Sequence, residues 1–468
     1  MSKILPFLTF LIGAVIVAFG AGIAVNEFKL PPYPTIASGA KTLLYTYKGL
    51  NAPPYLGQFV GPAPDVPPAE AAANRFEAID PAAAGLPETL LITGGLNEFL
   101  EHCPEDGCLA VEVDRAGTVT HAIPYRPDEI FAADITDGSF YREGVPPDPR
   151  LIKRPIGLKP YANGDYLVSF QTTGNMFPFS GGLARIDRDG HPLWYRFDYS
   201  HHWVNVMPDG RIIIPDLVLE EGDWEVGIGT RGRIYDQYCE TGRPQVDGIH
   251  ILDGDGAVLQ RIDVDKALRE SRWAPLMSQT PVPCDPLHIN YVDVLDYTAP
   301  GGVLEPGNLV VSLRNLSMVA IMDPDTGAVL DVVRGSFMQQ HAVQQLRGSK
   351  ALVFDNWGGA GNGHGSRLLE IDLAGGPERQ IFPDPDALQT GRPLFSFRAG
   401  HLSISPETDR ALVSFTEDSV GVEVDLASGA PVMTWTSLHD LSGLEQATEA
   451  QKSAATRAKL FGMYYLQP

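Results

Sequence analysis

The stretch Asp-Pro-Leu-His-Ile-Asn-Tyr-Val-Asp-Val-Leu, from Asp285 to Leu295, has the content of a β-strand yet carries His288 and Asn290 two residues apart. In a strand such residues share one face, and a buried polar group costs free energy unless it finds a partner. That face is therefore expected to look into something polar. Three more histidines stand at matching places: His202, six residues before Pro208 of a Met-Pro-Asp-Gly turn, and His341 and His401, each opening an apolar run. Arg314 ends the run Val-Val-Ser-Leu-Arg, where an inward guanidinium needs an anion to neutralise it. Imidazoles, a guanidinium and a carboxamide with few inward acids suit an oxyanion. The competing chemistry is a metal centre, for which Asp285 or Asp355 would supply carboxylate. His102, His121, His191, His250, His364 and His439 fall in turns or polar positions and are expected to be solvated.

For side chains so far apart in sequence to meet, the fold must bring many strand starts to one axis. The chain repeats a phrase that can do this: an apolar strand, a turn around Asp-Gly or Asn-Gly, a second strand, an acidic turn and a third strand. It occurs as KPYANGDYLVSF with GGLARIDRDGHPLWYRF, as HHWVNVMPDGRIIIPD with GIHILDGDGAVLQRIDV, and as HLSISPETDRALVSF with VGVEVDLASGAPVMTW. Two further copies start at Ile289 and His341, and a less regular one begins near Leu90. Six copies of a three- or four-stranded unit predict an all-β, six-bladed β-propeller, in which each sheet buries both faces against its neighbours. A β-sandwich accounts for the strand count but not for the repeated phrase. The first strand of each blade lines the central channel, so His202, His288, His341 and His401 are expected to converge there.

The repeat spans residues 86–442. Before it, residues 27–85 are rich in Pro and Ala and read as an extended stalk. After it, residues 443–468 have helical composition in EQATEAQKSAATRAKLF. Residues 1–26 form an N-terminal segment in which no charge occurs between Lys3 and Glu27. The run from 4 to 25 suffices to cross a bilayer and is expected to be a transmembrane helix, with a cleaved signal peptide as the alternative because of the small residues at Ala21-Gly22-Ile23-Ala24. A net charge of −23 argues against binding nucleic acid through its phosphates. Four cysteines in a chain with an export signal favour disulfides. Cys103 is expected to pair with Cys108 and Cys239 with Cys284, although CPEDGC also admits a zinc reading. These features place the propeller on the oxidising side of a membrane, in the periplasm or outside the cell.

In three phrases the sequence resembles the bacterial arylsulfotransferases: HHWVNVMPDGRIII, DPLHINYVDVL with VVSLRN, and QQHAVQQLRGSKALVFDN. The likeness covers roughly residues 158–435. It implies a six-bladed propeller that moves a sulfuryl group from an aryl sulfate to a phenol without a nucleotide donor, needing no cofactor and no metal. By the same resemblance His341, ahead of Phe354-Asp355-Asn356, is the nucleophile, and His288 with Asn290, Arg314 and His202 completes the site. His401 stands where relatives more often have a small or amide residue, and is expected to bind substrate. The proton shuttle would be His288 or His202. Outside this resemblance two readings stay open: a metal-dependent propeller hydrolase or lactonase, and a non-catalytic membrane-anchored scaffold.

Overall fold

The computed structural model describes residues 13–15, 17–23, 61–71, 75–80, 89–94, 99–130, 153–172, 181–219, 245–282, 284–299, 302–359, 365–385, 392–445 and 447–466. Among the described residues six antiparallel blade sheets follow one another along the chain, five of four strands and one of five. The second blade comprises Lys153–Pro160, Tyr166–Thr172, Leu183–Ile186 and Pro192–Arg196, and the third Asn205–Val206, Ile212–Leu219, Gln245–Leu252 and Val258–Asp263. Ile289–Val294, Leu309–Leu313, Met318–Met322 and Val329–Val333 make the fourth. The fifth is His341–Arg347, Lys350–Gly359, Gly365–Asp372 and Arg379–Phe382, and the sixth His401–Ile404, Arg410–Phe415, Val420–Asp425 and Pro431–Thr436.

The recurring acidic phrase is the hairpin between the third and fourth strands. Asp253 Oδ1 accepts from the amides of Asp255 (3.0 Å) and Ala257 (2.8 Å), and Gly256 closes the turn at φ +84°. Asp187 and Asp114 repeat this pattern in the second and first blades. An Asp side chain that replaces a backbone acceptor and a Gly that tolerates positive φ are what such a turn needs.

Alternate residues of one strand serve opposite interfaces. Val311 packs with Ile213 and Ile249 of the third blade, whereas Val310 packs with Val343 and Val353 of the fifth. Leu412 joins Leu90 and Ile92 of the first blade, while Ala411 and Val413 join Phe354 and Leu368 of the fifth. Because both faces are buried, these strands read as continuous apolar runs, and at about 25 cal/mol per Å² of apolar surface the inter-blade layers are the main source of stability.

The ring is closed by the C-terminus. Gly462–Leu466 is the innermost strand of the first blade, paired antiparallel with Thr89–Thr93, outside which lie Cys108–Val113 and Val119–Pro124. Among the described residues the helical tail expected over 443–468 is thus helix only at Glu449–Ser453, capped by Thr448 and Gln451. Pairing wins over helical composition because the first blade would otherwise expose an open edge. The 27–85 segment is likewise no free stalk where it is described. Phe76–Ala78 adds a fifth strand to the sixth blade, and Gly61–Ala63 pairs with Ala455–Arg457, which pairs in turn with Leu438–His439.

Of the expected anchor over residues 4–25, residues 13–15 and 17–23 are helical with exposed Val15, Val17, Phe19 and Ile23, and the rest lies outside the described residues. Among the described residues no helix is long and apolar enough to cross a membrane. Cys103 and Cys108 form a disulfide. Cys284 is also disulfide-bonded, and its expected partner Cys239 lies outside the described residues.

Candidate active site

The inner strands of the third, fourth and fifth blades begin at one rim of the channel, and their starts carry the predicted histidines. His341 is the first residue of its strand, His288 directly precedes Ile289, and His202 lies three residues before Asn205. Ligating nitrogens of His202, His288 and His341 all lie within 4.8 Å of one another. The ring of His202 is 5.2 Å from that of His288 and 6.4 Å from that of His341, centre to centre.

Backbone strain aims these rings. His202 and His288 have φ of +57° and +53°, a conformation uncommon outside Gly and typical of functional sites. The Asp247 carboxylate holds the second turn by accepting the amides of His288 (3.3 Å) and Ile289 (3.1 Å). Gly157 makes room for the first: a Cβ there would stand 2.5 Å from the His202 carbonyl oxygen and 2.7 Å from Trp203 Cα. Simple strand alternation therefore does not relate His288 to Asn290, because the register shifts between Ile289 and Tyr291. Asn290 donates to the Gln340 carbonyl (2.8 Å), tying the fourth blade to the residue before His341, and its Oδ1 is buried without a partner.

The protonation of His341 follows from its neighbour. Asn356 donates from Nδ2 to the carbonyls of Ser396 (2.8 Å) and Ala399 (2.7 Å), so its Oδ1 is the atom 2.7 Å from His341 Nδ1. An amide oxygen only accepts, so Nδ1 carries the proton and Nε2 the lone pair. Burial holds the His341 pKa well below the ordinary histidine range, with the Arg314 charge adding to it and the Asn356 bond opposing. The imidazole is neutral at pH 7.

His288 has a different partner. Its Nδ1 is 2.5 Å from Asp285 Oδ2, a contact by which the carboxylate fixes the orientation of the ring. His202 Nδ1 is 2.7 Å from His201 Nδ1. Burial, then the charges of His201, His288, His341 and Arg314, push the His202 pKa well down. Arg314 begins a short 3₁₀ turn and donates to Asn315 Oδ1 (2.8 Å) and Gln339 Oε1 (2.9 Å), while its Nε is buried without a partner. Among the described residues no ion pair of Arg314 is formed within 4.0 Å; of the neighbouring charges, Asp285 favours its charged form and Arg398 disfavours it.

By ligand type His202, His288 and His341 could hold a cation. The carboxylates suggested by sequence do not join them. Asp355 accepts Nε and Nη2 of Arg367 at 2.8 and 2.5 Å, and Asp285 is engaged by His288.

His401 lies apart from the trio. It stacks on Trp203 (5.4 Å), which also meets His341 edge-on (6.0 Å) and His202 (6.0 Å), and it meets Tyr291 and Tyr464 at 6.0 and 4.7 Å. It faces a chamber of about 810 Å³ at the opposite end of the channel, lined also by Lys159, Asn205, Asp293 and Gln344. Burial pushes its pKa down to about 3, with Lys159 adding to the effect. Of the histidines expected to be solvated, His439 is instead fully buried, its Nδ1 3.3 Å from the Phe99 amide.

The groups that orient the imidazoles escape a reading of the sequence. Asp285 stands three residues before His288 but suggests itself there only as a metal ligand, and Asn356 has no evident role in the Phe-Asp-Asn ending. Asp247 and Trp203 carry no signal in sequence, because each acts through the packing of one blade on the next.

No family model and no curated protein matches the chain. Solved structures similar in fold include a protein of unknown function from Bacteroides caccae, at 12% identity and a TM-score of 0.45 over 82% of this chain and all of that one. A protein from Lactobacillus plantarum matches at 12% identity and 0.42, over 81% of this chain and 99% of that one. A catalytically inactive form of virginiamycin B lyase from Staphylococcus aureus, with quinupristin, matches at 8% identity and 0.34, over 61% and 73%.

Proposed function

We propose that the rim site transfers a sulfuryl group from an aryl sulfate to a phenol through a sulfohistidine at His341. The observation that carries this reading is a neutral imidazole, fixed by Asn356 as the Nδ1–H tautomer, beside a guanidinium that has no ion-pair partner. His341 Nε2 attacks sulfur, the S–O bond to the aryl group breaks, and its electron pair leaves on the phenolate oxygen. Arg314, with His202 as a further donor, offsets charge on the sulfuryl oxygens. The protonated form of His288, held by Asp285, gives its Nε2 proton to the departing oxygen. The neutral ring then takes the proton of the acceptor phenol as that oxygen attacks sulfur and the S–N bond breaks, which restores His341. The Asp285 contact favours His288 over His202 as the shuttle, since a carboxylate is what an imidazolium needs.

The test is the mass of the intact protein after brief exposure to an aryl sulfate, read without acid. An added sulfuryl group in wild type that is absent from His341→Ala supports the reading, and an adduct mapping elsewhere, or transfer surviving in the variant, overturns it. One observation favours a second reading, a metal-dependent hydrolase: the three imidazoles share reach of one point. Metal analysis, and turnover lost on chelation and restored by zinc, would select it. The protein is further proposed to be membrane-anchored through residues 4–25, with the propeller on the oxidising side, a placement supported by the Cys103–Cys108 disulfide. Release into the soluble fraction without detergent would refute the anchor.

A further inference from the structure

The rim around the imidazoles has two halves. The third to fifth blades contribute His202, His288 and His341, whereas Arg398, Lys459 and Arg154 stand where the chain enters the sixth, first and second blades. This concentration occurs in a chain of net charge −23. Arg398 is strapped to the nucleophile's support: its carbonyl accepts from Ser396 Oγ (3.0 Å), and the carbonyls on either side, of Ser396 and Ala399, hold Asn356. Its exposed guanidinium lies 5.4 Å from the Phe397 ring, which meets Trp357 edge-on at 4.5 Å. Trp357 directly follows Asn356 and donates to the Phe397 carbonyl (3.1 Å), so an aromatic step and a cation sit together beside Asn356, the partner of His341.

The cations feel one another. Burial lowers the Arg314 pKa, the Asp285 carboxylate opposes this, and Arg398 adds to it. Burial lowers that of Lys459, and Arg154 and Arg398 lower it further while Glu417 opposes. Glu417 already accepts the amides of Phe397 (2.6 Å) and Arg398 (3.2 Å) with one oxygen. Like charges gathered at one mouth repel, and an anion between them relieves the repulsion. Arg314 answers the single charge of a sulfate ester, and the other cations exceed that need.

We infer that Arg398 and Lys459 form a second anion subsite, and that the donors this site prefers are aryl sulfates whose ring carries another negative group such as a carboxylate. This rests on the sulfuryl-transfer reading and names its substrate class. The ring lies against Phe397 and Trp357, with the second anion on Arg398 and Lys459.

The experiment uses aryl sulfonates, which have no sulfuryl group to transfer and so report binding without chemistry. Affinities of the full chain for 4-sulfobenzoate and benzenesulfonate are measured by calorimetry at two salt concentrations. The dianion is expected to bind about tenfold more tightly, the worth of one charge-assisted contact, with the preference shrinking in high salt. In Arg398→Gln with Lys459→Gln the ratio is expected to fall towards one. A ratio near one in wild type, or one unchanged in the double variant, overturns the inference. Selectivity without a His341 adduct would remove the proposed reaction and leave the subsite; an adduct without selectivity would remove the subsite alone.

Discussion

Replacing Asp285 by Asn separates the two halves of the proposed cycle. The carboxylate touches His288 Nδ1 at 2.5 Å, and its other oxygen, Oδ1, has no partner. Asn315 Nδ2 bonds to the Asp285 backbone carbonyl, so the loop keeps its tie. The isosteric amide is therefore expected to change stability by less than about 1 kcal/mol. It removes the charge that stabilises the His288 imidazolium, and general acid–base catalysis contributes about 10²–10⁴ in rate. This corresponds to about 3–5.5 kcal/mol of barrier. Sulfation of His341 by a donor with a weakly basic leaving phenolate needs no proton and should proceed within about threefold of wild type, whereas discharge onto an ordinary phenol should slow by about 10²–10⁴. Rapid-quench mass spectrometry follows adduct growth, and its decay on adding acceptor gives the second rate. Equal losses in both steps, or none in either, would refute the assignment of His288 as the shuttle.

Arg314→Lys should lower adduct formation by about 10²–10³, because a point charge cannot keep the donors to Asn315 and Gln339 and also face the sulfuryl oxygens; single-turnover rates check this. Burial depresses the pKa of His201, His202, His341 and His401 in the fold. The unfolded chain thus takes up protons first as pH falls through about 6.5, and stability should drop below that pH by up to about 1.4 kcal/mol per unit for each group. Chemical denaturation between pH 8 and 5 measures the slope, and a flat profile would contradict it. A chain ending at Leu460 lacks the strand Gly462–Leu466 that closes the first blade, and should fail to fold or should aggregate through the open edge. A soluble truncated protein with an unchanged melting temperature would refute that.

The architecture was legible because its cause is local. Asp-x-x-Gly turns and doubly buried strands such as Ala351–Phe354 recur blade after blade, and each is dictated by a few neighbouring residues. The same recurrence placed His202, His288 and His341 at one position of the repeat, and the structure brings them together. His401 occupies that position too, yet lies behind Trp203, because the depth of a side chain in the channel depends on which neighbour's ring fills the axis. Composition suggested helix over 443–468, of which among the described residues only Glu449–Ser453 is helical, and a stalk over 27–85, of whose described residues Gly61–Ala63 and Phe76–Ala78 join sheets, since strand pairing with partners hundreds of residues away outweighs local propensity. The sequence by itself determined the repeat, the turns and the kinds of group at the rim. Tertiary structure alone decided which imidazole is neutral, which is paired with a carboxylate, and where the cations gather, because a proton's place is set by burial and by partners such as Asp285 and Asn356 that the fold brings into contact.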